Sequence, residues 1–170
     1  LPSSTVLQVS GNQLTVTTDG EIVERVDTDD PLSFIEKYQA GFRVPLVEGL
    51  PRFYGGLVGY FGYDTVRYVE RRLRSSIPPD PIGTPDILLM VSNDVAVYDN
   101  VSSRLQLISL ADPTAPHAYE RAIEDLHALA GKLDSPLPPI PRVDIDSPTE
   151  EKDFTSNFGE DNFMQAVERI

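Results

Sequence analysis

The chain has 170 residues, 40% of them apolar, and 14 Lys and Arg stand against 27 Asp and Glu for a net charge of −13. That size supports one soluble domain with a real core, while the acidic balance argues against nucleic acid as a partner. No apolar run reaches the roughly 18 residues of a membrane helix, no basic-then-apolar leader opens the chain, and the absence of cysteine removes disulfides and thiolate chemistry, which suits the cytoplasm.

In chain order, Thr5–Ser10, Gln13–Thr17 and Glu21–Val26 read as three strands joined by turns at Gly11-Asn12 and Asp19-Gly20, an antiparallel meander. Leu14 and Val16 alternate with polar neighbours, so one face of the second strand packs and the other is wet. Asp29 or Asp30 then caps a helix with Pro31 at its first position, and the apolar residues Leu32, Phe34, Ile35 and Tyr38 lead it to an end by Gly41.

Leu50 to Glu70 is the most distinctive stretch. Four glycines (Gly55, Gly56, Gly59, Gly62) interleave with six aromatics, from Phe53 and Tyr54 to Tyr68. Glycine in a strand marks a bulge or the close approach of another backbone, and the rings offer apolar area to a core. The expectation is a buried, bulged strand over Tyr54–Tyr63 near the middle of a sheet, followed by a helical turn, Thr65 to Glu70, capped by Asp64.

Ser75 to Thr84 is proline-rich and must be loop. Asp86–Val91 is a continuous apolar run, expected of a strand covered on both faces and continuing through Val95–Tyr98 as a second interior strand. Asp99-Asn100 turns it back into Arg104–Ser109. A helix follows Pro116, its stripe running from Tyr119 through Ala122, Ile123, Leu126, Leu129 and Ala130 to Leu133. The division expected is a domain over 1–134, a proline-rich linker over 135–153, and the start of a second domain over 154–170. Gly159-Glu160-Asp161 opens a last helix whose apolar residues Phe163, Ala166, Val167 and Ile170 keep period to the final position; this and the missing initiator methionine point to a piece of a larger protein. The fold class expected is α+β: antiparallel sheets with three or more flanking helices.

Candidate chemistry is sparse. The glycine block is neither a dinucleotide fingerprint nor a P-loop, and its rings would crowd a phosphate. His117 and His127 lie about 15 Å apart along one helix and cannot share a metal. The carboxylate pairs Asp29-Asp30, Glu150-Glu151 and Glu160-Asp161 fall in caps or loops. Asp64 beside Arg67 reads as a cap or local ion pair, and Arg67, Arg71, Arg72 and Arg74 as a solvated helix end. No base, acid and charge-stabilising group come together, so no catalytic, substrate-binding or metal residue is assigned.

Phe53-Tyr-Gly-Gly-Leu-Val-Gly-Tyr-Phe-Gly-Tyr-Asp-Thr-Val-Arg67 closely resembles the amino-terminal signature of the anthranilate synthase component I family of chorismate-utilising enzymes. Pro85-Asp86-Ile87 and Phe154–Phe158 continue the resemblance, the latter looking like the opening of the family's catalytic domain. The resemblance implies a lyase of tryptophan biosynthesis that converts chorismate and ammonia into anthranilate and pyruvate. It implies Mg²⁺ as cofactor and a glutamine amidotransferase subunit (component II) as partner. Tryptophan is implied as feedback inhibitor, and two sheets packed orthogonally as the fold. Substrate, metal and inhibitor sites are implied outside this chain, which would be inactive scaffold by itself. Two alternatives stand beside this one. One is component I of aminodeoxychorismate synthase; the other is a free-standing binding module with a pocket lined by Tyr54, Tyr60 and Tyr63.

Overall fold

The computed structural model describes residues 3–75, 77, 79–136 and 155–170. The expected linker at 135–153 and the Glu150-Glu151 pair therefore lie almost wholly outside the described residues. The chain divides into two compact units, Leu1–Ser135 and Pro136–Ile170.

In the first unit, β1 (Thr5–Ser10), β2 (Gln13–Thr18) and β3 (Glu21–Asp27) form the expected meander. Gly11 and Gly20 supply the left-handed backbone, φ 57° and 86°, that their turns require. Strands β4 (Gly56–Phe61) and β5 (Ile87–Ser92) complete a five-stranded antiparallel sheet of order β3-β2-β1-β5-β4. A separate hairpin follows, β6 (Asp94–Asp99) with β7 (Arg104–Ser109). At its turn Asp99 accepts bonds from the Val101 amide at 2.8 Å and the Ser102 hydroxyl at 2.6 Å.

The core lies on one face of the large sheet. Leu7 and Val9 of β1, Leu14 and Val16 of β2, and Ile87, Leu89 and Val91 of β5 are buried there beneath helix α1 (Pro31–Ala40), which adds Pro31 and Ile35. The helix starts where its chemistry directs: Asp30 accepts from the Ser33 amide at 3.1 Å and the Ser33 hydroxyl at 2.6 Å. These bonds satisfy a free first-turn donor and hold the Asp30 carboxyl below the usual carboxylate range.

Three expectations are corrected. Asp86–Tyr98 is not one strand; the chain breaks at Asn93, leaving β5 at the centre of the large sheet and β6 in the hairpin. The glycine-aromatic strand is not interior, because β4 is the outermost strand and all its residues but Leu57 are exposed. Nor is it bulged: β4 and β5 keep regular register, and the irregularity falls between Val16 and Thr17 in the β2–β3 pairing. Close backbone approach is instead what its glycine provides. A Cβ at Gly59 would collide with the Leu88 carbonyl.

After β4 the chain makes a 3₁₀ turn at Tyr63–Thr65 and the single-turn helix α2 (Val66–Val69), then a second 3₁₀ turn at Arg71–Leu73. Helix α3 (Ala118–Leu133) packs against β7, with Ala122, Ile123, Leu126, Leu129 and Ala130 half-buried and both ends of the expected stripe, Tyr119 and Leu133, exposed. The second unit contributes α4 (Glu160–Glu168), with Glu160 and Asp161 in its first turn; it stops short of the final residue, Ile170.

Candidate functional site

A cleft of about 490 Å³ opens in the first unit where the β1–β2 turn, the start of β5 and α2 converge. Asp86 is its hub. Its main-chain amide donates to the Val9 carbonyl at 2.8 Å, and its carbonyl accepts from the Gly62 amide at 2.7 Å and the Thr65 hydroxyl at 3.3 Å. Its Oδ2 accepts from the Gly11 amide at 2.8 Å and from the Tyr68 hydroxyl at 2.6 Å. The Tyr68 Oη also lies 2.7 Å from the Gly11 carbonyl, so its one proton is shared between two acceptors. One carboxylate and one phenol thereby tie three chain segments that are far apart in sequence.

Burial, followed by the hydrogen bond to Asp86 and its charge, pushes the Tyr68 phenol far above its ordinary value of 10.0. A phenol so placed holds its proton across the physiological range and cannot serve as a base. Beside it, Asp64 Oδ1 and Arg67 Nη2 pair at 2.8 Å, with the Arg67 side chain 17% exposed. Asp64 makes no cap bond, so the ion pair, not the cap, is its role. Arg74 turns back on main-chain carbonyls, its Nε donating to Arg67 at 3.2 Å and its Nη2 to Asp29 at 3.2 Å. Three of the four clustered arginines are thus held by local partners, since the exposed Arg72 also pairs with Glu70 at 3.5 Å, and Arg71 stands exposed at the solvated end.

The arrangement is a clamp: Asp64 is paired with Arg67, Asp86 accepts from the Gly11 amide and the Tyr68 hydroxyl, Asp29 accepts from the Asn12 side-chain amide at 3.0 Å, and Arg74 donates to main-chain carbonyls. Among the described residues no group of three or more His, Asp or Glu gathers where a cation could be held. These residues therefore do not fit a magnesium site. His127 is exposed on α3, whereas His117, expected in the same helix, is the exposed left-handed residue (φ 54°) just before its first turn. Among the described residues no helix is long and apolar enough to cross a membrane.

The pocket expected from three tyrosines does not form. Tyr54 donates to the Pro45 carbonyl at 2.8 Å and Tyr60 to the Pro85 carbonyl at 3.0 Å, while Tyr63 is 93% exposed. Tyr60 and Tyr63 border one open hollow with Pro85; Tyr54 is not part of it. What reasoning from the sequence missed was the Tyr68–Asp86 pair, two residues it had placed in separate elements. The available signal was that an acid opening a buried strand needs a donor, and Tyr68 is a donor one helical turn from Asp64.

Comparison with known proteins adds a second line. The family model described as chorismate binding enzyme matches residues 4–170. The chain is 47% identical over 171 residues to anthranilate synthase component 1 of Pseudomonas aeruginosa, covering 100% of this chain and 35% of that protein. The corresponding protein of Neisseria meningitidis serogroup B is 42% identical over 173 residues, covering 100% and 34%. Among solved structures, anthranilate synthase component I from Streptococcus pneumoniae TIGR4 superposes with a TM-score of 0.63 at 25% identity, over 81% of this chain and 29% of that one. The chain thus spans about a third of the length of the relatives it matches.

Proposed function

This chain belongs to the family of chorismate binding enzymes, and from that premise we propose that it is the amino-terminal portion of component I of an anthranilate synthase. The observation that carries this reading is identity of 47% and 45%, sustained across the whole chain, with anthranilate synthase component 1 of two Pseudomonas species. The parent enzyme would aminate chorismate with ammonia and eliminate pyruvate to leave the aromatic product, in service of tryptophan synthesis. The ammonia would come from a glutamine amidotransferase subunit, and Mg²⁺ and the substrate would be held by residues outside this chain. Tryptophan would regulate the parent. The linker at 135–153 and the start of a catalytic domain at 154–170 belong to the same proposal, as does a cytoplasmic location.

Within it, the described residues act as scaffold. The Tyr68–Asp86–Gly11 clamp and the core beneath α1 give the unit a fixed shape against which a catalytic domain can be built. Component I of aminodeoxychorismate synthase shares the substrate, but the relatives quoted above favour the anthranilate reaction.

The test uses the full-length protein with chorismate, ammonium ion and Mg²⁺. Fluorescent anthranilate and pyruvate should appear in equal amounts. An aminated chorismate that keeps its enolpyruvyl group, with no pyruvate released, would overturn the proposal in favour of the folate-pathway enzyme.

A further inference from the structure

The hairpin turn between β2 and β3 is closed by Asp19 and Gly20, which lie beyond the Thr18–Glu21 pair. Both sit in the left-handed region, Asp19 at φ 52° and Gly20 at φ 86°, as a two-residue turn of this hand requires. Glycine adopts that backbone freely, whereas a residue with a Cβ is strained in it. The chain is anchored on one side of the turn, where the Asp19 amide donates to the Ser4 carbonyl at 2.8 Å. The Asp19 carboxylate and the Gly20 amide, by contrast, are exposed and make no hydrogen bond or ion pair among the described residues.

This pairing of residues occurs once in the sequence; no other Asp, and no Asn, precedes a glycine. Other turn aspartates differ in both respects. Asp99 accepts from the Val101 amide and the Ser102 hydroxyl, and Asp112 from the Thr114 amide at 2.9 Å and hydroxyl at 2.7 Å. The residues that follow them are Asn100, which carries a side chain beside its amide, and Pro113, which has no N–H. An aspartyl Cγ closes a five-membered ring with the next residue's nitrogen, and glycine hinders that closure least.

We propose that Asp19-Gly20 is a self-modification site, at which the β2–β3 turn isomerises to an isoaspartyl linkage. The Gly20 nitrogen attacks Cγ of the protonated Asp19 carboxyl. The N–Cγ bond forms, and the carboxyl hydroxyl leaves with the amide proton as water, which yields a succinimide. Water then opens the ring. Addition at Cγ restores aspartate, whereas addition at the main-chain carbonyl carbon breaks its bond to nitrogen. The chain then runs through Cγ, and the former main-chain carbonyl becomes a free carboxylate. One water leaves and one returns, no electron is exchanged, and mass is unchanged. The new linkage inserts an extra atom into a two-residue turn, so the Thr18–Glu21 and Thr17–Ile22 pairs loosen. Register already shifts between Val16 and Thr17, which confines the change to this end of the hairpin and leaves Leu14 and Val16 in the core. None of this depends on which reaction the full protein catalyses.

The test ages the full-length protein for weeks in neutral buffer, then applies isoaspartyl methyltransferase with labelled S-adenosylmethionine and maps the peptides. The peptide spanning residues 19 and 20 should take up label that grows with age and exceeds that of every other aspartyl peptide. Electron-transfer fragmentation should place the isomer at Asp19. Asp19→Gly, which suits the left-handed turn, should lose the label entirely. No label above that of fresh protein, or label led by another aspartate, would overturn the proposal. So would label that appears only after denaturation, since the folded turn would then protect Asp19, and so would label that survives in Asp19→Gly.

Discussion

Strands β1 and β4 flank β5 on opposite sides, and the contrast between them is instructive. β1 alternates Leu7 and Val9, both 0% exposed, with polar Gln8 and Ser10, and it is paired on both sides. β4 is richer in aromatic and glycine residues, yet Phe61 is 53% exposed and Tyr60 41%. Apolar content alone therefore does not bury a strand. Position in the sheet and a helix overhead do, and α1 lies over β1, β2 and β5.

The largest effect should come from the β1 side. Leu7→Ala, at a fully buried site, is expected to cost about 3 kcal/mol in urea unfolding. The matching change on the other side, Val58→Ala, should cost under about 1 kcal/mol in the 170-residue chain. A clearly larger loss for Val58→Ala in the full-length protein would sharpen the contrast, because it would mean the β4 face is covered there.

Next is Gly59→Ala, expected to cost about 2 kcal/mol, since the new Cβ meets Leu88 backbone that cannot swing aside as a side chain would. Unchanged thermal stability would mean that β4 does not approach β5 as described.

Much of this was legible in the residues and some was not. The meander followed from strict alternation around Leu14 and Val16 between two glycine turns, and α1 from an acid followed by proline. Both signals are local, so tertiary context had little to override. β4 was misread because glycine and aromatic content report that a strand approaches something closely, not how many partners it has. Asp86–Tyr98 was misread because its apolar character resumes after the Ser92-Asn93-Asp94 interruption, and only the pairing reveals a change of sheet. The Tyr68–Asp86 clamp joins residues 18 apart and has no periodic signature at all.

Smaller effects probe that clamp and the α1 cap. Tyr68→Phe should cost about 1 kcal/mol by removing the donor to Asp86. Because the Tyr68 phenol is raised above 10.0 in the folded chain, its contribution is complete below pH 10 and is lost as pH rises beyond it. Chemical denaturation across that range should therefore show a stability loss that Tyr68→Phe lacks; the same slope in both proteins would remove Tyr68 as its source. For Asp30 the sign reverses, since its carboxyl is lowered. Its stabilisation of α1 is present above the ordinary carboxylate value and fades as pH falls through the lowered one. Asp30→Asn should flatten that acid limb slightly while keeping the helix.

The central claim is that this chain is scaffold for an anthranilate synthase whose reactive groups lie elsewhere in the polypeptide. Ammonia-dependent anthranilate formation, followed by fluorescence for the 170-residue chain and the full-length protein side by side, tests it most directly. The account predicts product from the full-length protein and none from the 170-residue chain. Turnover by the short chain alone, or none by the long one, would contradict it.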